Sequence, residues 1–176
     1  MSALAALEGL DTPADRLARG VAAFKAGDLP TAINLVQALC LASPADHESR
    51  YWLASIAYAA GAGDQAAGIL DEARTLHALA VLKAVDVDVR RLSVDKVYAA
   101  QMGMLLYGRK LMAAASYCLG RALDFDNLDP QIMVSYGLSL QHQGRIQEAV
   151  DVFTAASEVF SIPSVHQFRS EEHTSE

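Results

Sequence analysis

The residues best suited to chemistry are few, and the densest set lies in "DFDNLD". Asp124, Asp126 and Asp129 approach the spacing of a calcium loop, whose alternating oxygens wrap a hard cation. Leu128 occupies a ligand position, however, no Gly follows, and the closing glutamate is absent. The stretch therefore reads as a helix end followed by an N-cap. "GAGDQAAG" places Gly61, Gly63 and Gly68 off the G-x-G-x-x-G spacing and follows no strand, so an inter-helix turn accounts for it. No H-E-x-x-H, G-x-S-x-G or Gly-Lys-Ser/Thr phosphate loop occurs. His47, His77, His142 and His166 are isolated in sequence, with no neighbouring nucleophile or ligand set. Cys40 and Cys118 sit singly in helical patterns without C-x-x-C spacing, which suits buried free thiols. The expectation is a segment with no catalytic, cofactor-binding or metal-binding residues of its own.

The elements around these residues read as helices. Apolar side chains make up 52% of the chain, enough for a substantial core and too many for general disorder. They are chiefly Ala and Leu, which favour helix over strand. The net charge is −7. Without a run of Lys or Arg, such a chain is poorly suited to neutralising phosphates, so nucleic acid is not an expected partner. No apolar stretch approaches the roughly 18–20 residues that cross a bilayer. The N-terminus has no positive charge before its apolar run and does not read as a signal peptide. The default location is the cytoplasm. Arg169 to Glu176 contain no apolar residue and match the translated start of a common sequencing adapter. The natural frame is therefore expected to be interrupted after Phe168, and the last eight residues are left out of the fold reading.

Aligning Gly27 with Gly61 places Ala32 on Ala66, Val36 on Leu70 and Leu39 on Ala73, each 34 residues on. Aligning Gly103 with Gly137 places Leu106 on Leu140, Ala115 on Ala149, Leu119 on Phe153 and Ala122 on Ala156, again 34 apart. Between the two pairs the step from Ala66 to Ala115 is 49, so 15 extra residues intervene. This pattern resembles the tetratricopeptide repeat, a 34-residue unit of two antiparallel helices in which Gly or Ala permits close packing. The resemblance implies an all-α, right-handed superhelical solenoid of about four repeats with an irregular insertion in the middle. The repeats fall near 13–46, 47–80, 96–129 and 130–163, and the insertion lies within 76–95.

Punctuation agrees with this division. Thr12-Pro13 and Asp129-Pro130 suit an N-cap followed by Pro at the first helical position. Gly27-Asp28 and Gly144-Arg145 mark turns within units, and Pro44 and Pro163 lie between units. In the insertion, Leu76, Leu79, Ala80 and Lys83 keep helical spacing, while "VDVDV" alternates as a lone strand with nothing to pair with. A lengthened helix, a short connection and a new start near Ser93 are expected.

In the resembled family, the first helix of each unit lines a groove for peptides or partner segments. One aligned column reads Phe24, Tyr58, Tyr107 and Gln141. A second reads Val21, Ser55, Met104 and Leu138, and a third Leu17, Tyr51, Ala100 and Val134. These residues form the expected partner groove, apolar and aromatic with Tyr hydroxyls at hand. The Lys and Asn set with which some members clasp a C-terminal carboxylate is absent. The implied function is a protein-interaction scaffold, with no membrane insertion. Two narrower resemblances stand beside it. "ASEVFSIPSVHQF" resembles the last repeat of bacterial O-linked N-acetylglucosamine transferase relatives, implying a substrate-recruiting region of a longer enzyme. "QALCLASPADHESRYWLA" resembles the first repeats of type III secretion chaperones.

Overall fold

The computed structural model describes residues 11–125 and 129–161. Asp126, Leu128, Pro163, His166, the end of the fourth expected repeat and the 169–176 tail lie outside the described residues. Among the described residues there are nine helices and no strand. In order they are α1 (Pro13–Lys25), α2 (Leu29–Ala42), α3 (His47–Ala59), α4 (Gly63–Ala84), α5 (Val89–Leu92), α6 (Lys96–Gly108), α7 (Met112–Leu123), α8 (Pro130–His142) and α9 (Ile146–Ser161). The chain divides between His77 and Ala78, within α4, into two compact units.

Short polar side chains start most of these helices. Thr12 accepts from the Asp15 backbone N–H, and the Asp15 carboxylate accepts from the Thr12 backbone N–H, closing a capping box with Pro13 at the first position. Asp28, Asp46, Asp88, Asp95 and Asp129 cap α2, α3, α5, α6 and α8. Each carboxylate satisfies first-turn N–H groups that have no partner within the helix. Leu111, at the start of α7, supplies no such bond.

The four hairpin turns share one backbone design. Gly27, Gly61, Lys110 and Gly144 all have positive φ, from 60° to 83°. Each donates its N–H to the carbonyl three residues back: Phe24, Tyr58, Tyr107 and Gln141 respectively. The next residue donates to the carbonyl five residues back: Ala23, Ala57, Leu106 and Leu140. Paired bonds of this kind around a left-handed residue satisfy the last carbonyls of a helix, and Gly adopts that conformation without strain. Lys110 fills the same role with a Cβ attached.

Helix pairing then rests on missing side chains. A Cβ on Gly20 would lie 2.6 Å from Val36 Cγ2, and one on Gly103 would lie 2.6 Å from Leu119 Cγ and Cδ2. One on Gly137 would lie 2.5 Å from Phe153 Cε1. The second pair carries Ala54 at this register, 5% exposed. In the first unit the resulting core gathers Ala32, Val36, Cys40 and Ile56, with Phe24, Trp52 and Leu53 packed against it. In the second it gathers Leu82, Leu92, Leu106, Leu119, Ile132 and several alanines. Each fully buried Leu contributes on the order of 1.5–3 kcal/mol by leaving water. Gln143 adds a polar tie there: its side-chain amide donates to Ser116 Oγ at 2.9 Å and to the Met112 carbonyl at 3.1 Å.

The insertion resolves into a helix extension, a left-handed turn and a short helix. After α4, Asp86 adopts φ 57° and Val87 donates to the Leu82 carbonyl. The four-residue α5 follows, and the next repeat begins at the Asp95 cap instead of at Ser93. Leu92 is fully buried. The Asp88 backbone N–H donates to Tyr98 Oη at 3.1 Å, and the Arg91 guanidinium lies 4.4 Å above the Tyr98 ring while pairing with Asp95. "VDVDV" is thus consumed by a helix cap and a turn.

Three substitutions probe these constraints. Gly103→Ala should cost about 1–3 kcal/mol, because its Cβ meets Leu119 Cγ and backbone N, which have little room to move. Gly137→Ala should cost less, since only the ring of half-buried Phe153 stands in the way. Denaturant melts giving the reverse order would contradict this packing. Lys110→Gly should stabilise by about 0.5–1 kcal/mol, relief of left-handed strain outweighing the greater chain entropy of Gly. A lowered melting temperature would count against the strain argument.

Candidate functional site

Because the close-packed face of a first helix turns toward its partner, another part of that helix stays uncovered. In the first unit, Pro13, Ala14, Leu17, Ala18 and Val21 of α1 face Asp46 and Glu48 at the start of α3 across a cavity of about 460 Å³. In the second unit, Ala100, Gln101 and Met104 of α6 face Asp129, Gln131 and Ile132 at the start of α8 across about 380 Å³. The two grooves occupy the same register. Leu17 corresponds to Ala100, Ala18 to Gln101, Val21 to Met104, Asp46 to Asp129 and Glu48 to Gln131, each pair 83 residues apart. Small residues such as Ala14, Ala18 and Ala100 keep the grooves open.

The aspartate at each rim is held in place by its capping role. Asp46 Oδ1 accepts from the Glu48 N–H at 3.0 Å, and Oδ2 accepts from Ser49 Oγ at 2.5 Å. Buried Arg50 donates to the Asp46 carbonyl at 3.1 Å and pairs through Nε with Glu72 at 3.0 Å, fixing the start of α3 against α4. Asp129 Oδ1 accepts from the Gln131 N–H at 2.8 Å. Glu48 is exposed and forms no ion pair among the described residues.

The sequence-derived groove residues separate into three sets. Leu17 and Val21 line the first groove, and Met104 with Ala100 the second. Val134 and Leu138 are half-buried on α8, while Gln141 and Ser55 are exposed. Ser55 Oγ donates to the Tyr51 carbonyl at 3.0 Å. The aromatic column behaves differently. Phe24 packs edge-to-face on Trp52, ring centres 6.3 Å apart, within the first core. Tyr107 packs against the second core. Tyr58 is 75% exposed. Val97 and Leu105 of α6, at 63% and 46% exposure, were not among the groove columns although they lie on the groove-lining helix.

Folding also joins residues that the sequence left apart. His47 and His77 stack with ring centres 4.7 Å apart and planes within 7°, and the Tyr51 ring stands edge-on to both. Parallel rings point their nitrogen lone pairs in parallel planes, a poor arrangement for chelating one ion. Among the described residues no group of three or more His, Cys, Asp or Glu side chains is placed to hold a metal. Burial, then the nearby His47, lower the pKa of His77 below the ordinary histidine value. Both cysteines are buried and free. Burial raises the Cys40 pKa, and pushes that of Cys118 up to about 12, leaving little thiolate at neutral pH.

No described helix is long and apolar enough to cross a membrane. Residues 17–80 match the family model of the tetratricopeptide repeat. No curated protein matches the sequence. Among solved structures, a MamA structure is 19% identical, with 88% of this chain and 95% of that chain covered and a TM-score of 0.38. A second MamA structure is 17% identical over 84% and 91% of the two chains, with a TM-score of 0.34. YrrB, described as a TPR protein with an unusual peptide-binding site, is 11% identical over 95% and 96%, with a TM-score of 0.36.

The His77 shift has a consequence for stability. The folded chain resists protonation there and the unfolded chain does not, so unfolding takes up protons as pH falls below the ordinary value of 6.5. The stability is whole above that value and is lost as pH drops toward the lowered folded pKa. The melting temperature should therefore fall more steeply between about pH 7.5 and pH 5 in the parent chain than in His77→Gln. Equal slopes would remove the His stack as a cause. The described residues are all-helical, residues 17–80 match the tetratricopeptide repeat model, and the left-handed turns and close-packed glycines of that stretch recur in the later helix pairs.

Proposed function

We propose that this chain is a binding scaffold of the cytoplasm that holds segments of partner proteins in the two grooves, without performing chemistry on them. One observation carries the reading: the same apolar groove recurs at the same register in both units, bounded each time by a first helix and the aspartate cap of the next first helix. Half-exposed Leu17, Val21, Ala100 and Met104 offer pockets for side chains of an extended or helical segment. The free thiols suit a reducing compartment. Tetratricopeptide repeats serve widely as interaction modules, and YrrB is described as having a peptide-binding site, which agrees with this reading.

Peptides selected on the immobilised chain from a displayed random library provide the test. Val21→Asp and Met104→Asp should each weaken capture of groove-binding clones by about tenfold or more, with helicity unchanged by circular dichroism. Leu41→Asp, at a residue 77% exposed on α2 and outside both grooves, should leave capture intact. Loss of binding in Leu41→Asp alone would move the binding surface elsewhere.

A further inference from the structure

The two grooves share a shape but differ in charge, and the difference lies where the fold does not require it. Each rim carries a capping aspartate, Asp46 or Asp129. Two residues on, the first groove has Glu48 and the second has Gln131. Neither side chain is needed to start its helix, because the aspartate already accepts from the first-turn N–H groups.

The cations nearest the first groove in sequence do not neutralise it. Arg16 and Arg19 of α1 both pair with Asp11, at 3.1 Å and 2.5 Å. Arg50 is committed to Glu72 and to the Asp46 carbonyl. The first groove thus combines an apolar floor of Leu17, Val21 and alanines with the two carboxylates of Asp46 and Glu48, and no Lys or Arg lines it. The second combines Met104, Ala100 and Ile132 with the amides of Gln101 and Gln131, its one carboxylate being the Asp129 cap.

Resting on the groove reading above, we infer that the first groove selects a partner segment in which Lys or Arg lies beside a medium-sized apolar residue. The apolar side chain sits on Leu17 and Val21, and the cation reaches Glu48 with Asp46 behind it. An anionic segment is excluded by like-charge repulsion, which acts on specificity more strongly than attraction acts on affinity. The interaction is partly open to solvent and therefore weakens as salt is raised.

The test uses two fluorescent peptides of equal length, one alternating Leu with Lys and the other Leu with Glu, titrated against the full chain by anisotropy. The Lys peptide should bind at least about tenfold more tightly than the Glu peptide at low salt, with the gap narrowing as salt rises. Glu48→Gln should weaken the Lys peptide severalfold. Glu48→Lys should weaken it by about tenfold and improve the Glu peptide. Glu158→Lys makes the same change in net charge on α9, far along the chain, and should have little effect. If Glu158→Lys acts as strongly as Glu48→Lys, the attraction is only that of an acidic protein, and the inference is overturned. Equal binding of both peptides, both weakened by Val21→Asp, overturns the cationic preference while supporting the groove. Binding untouched by Val21→Asp overturns both.

Discussion

The structure depends on helices brought close together where a side chain is missing. At Gly20, Gly103 and Gly137, the space a Cβ would fill is already occupied by Val36, Leu119 and Phe153. A first helix seated that deeply against its partner fixes which of its faces is buried and which is left open. The open face is where Leu17, Val21, Ala100 and Met104 lie. The grooves are therefore a consequence of the packing and need no separate element to build them. This also explains why small residues serve two ends here: glycine draws helices together on one side, and alanine keeps the groove unfilled on another.

Turn chemistry sets the repeat length once packing has set the pairing. A left-handed residue ends each first helix and returns the chain with two hydrogen bonds to its last carbonyls. Three of the four positions use Gly, so the 34-residue spacing shows in the sequence as Gly27–Gly61 and, through the packing position, as Gly103–Gly137. Lys110 and Asp86 fill the same conformation with other side chains. The backbone hydrogen bonds are the same in each case, and this allows the surrounding structure to hold an unfavourable residue in place.

What the sequence shows follows from this. The helix pairs were legible because close packing demands Gly or Ala and a large apolar partner at fixed distances, and those residue types recur. The short helix α5 was not legible, because its one buried residue is Leu92 and its entry turn uses Asp86 where Gly would have been the signal. The column Phe24, Tyr58, Tyr107 and Gln141 recurs for a backbone reason: each carbonyl accepts the N–H of the left-handed turn residue. Its side chains do not share one environment: Phe24 and Tyr107 pack against the cores, whereas Tyr58 and Gln141 are open. Shared register at a turn therefore does not by itself give a shared surface. The His47–His77 stack lay beyond sequence reading altogether, since only the packing of α3 on α4 brings residues 30 apart into contact.

The rim aspartates separate positions that the fold requires from positions that it leaves open. Replacing Asp46 would remove a helix cap, a hydroxyl bond from Ser49 and a groove charge together, so its side chain is not free to vary. Glu48 and Gln131 carry no such duty, and neither do the floor positions Val21 and Met104, a stiff branched side chain in one groove and a flexible thioether in the other. Changes there alter the shape and charge of the groove while leaving caps, turns and close-packed glycines untouched. A fold of this kind separates the residues that must be kept to hold two helices together from those that can differ between one groove and the next. The first groove, with its extra carboxylate, and the second, with amides in its place, are two settings of the same variable position.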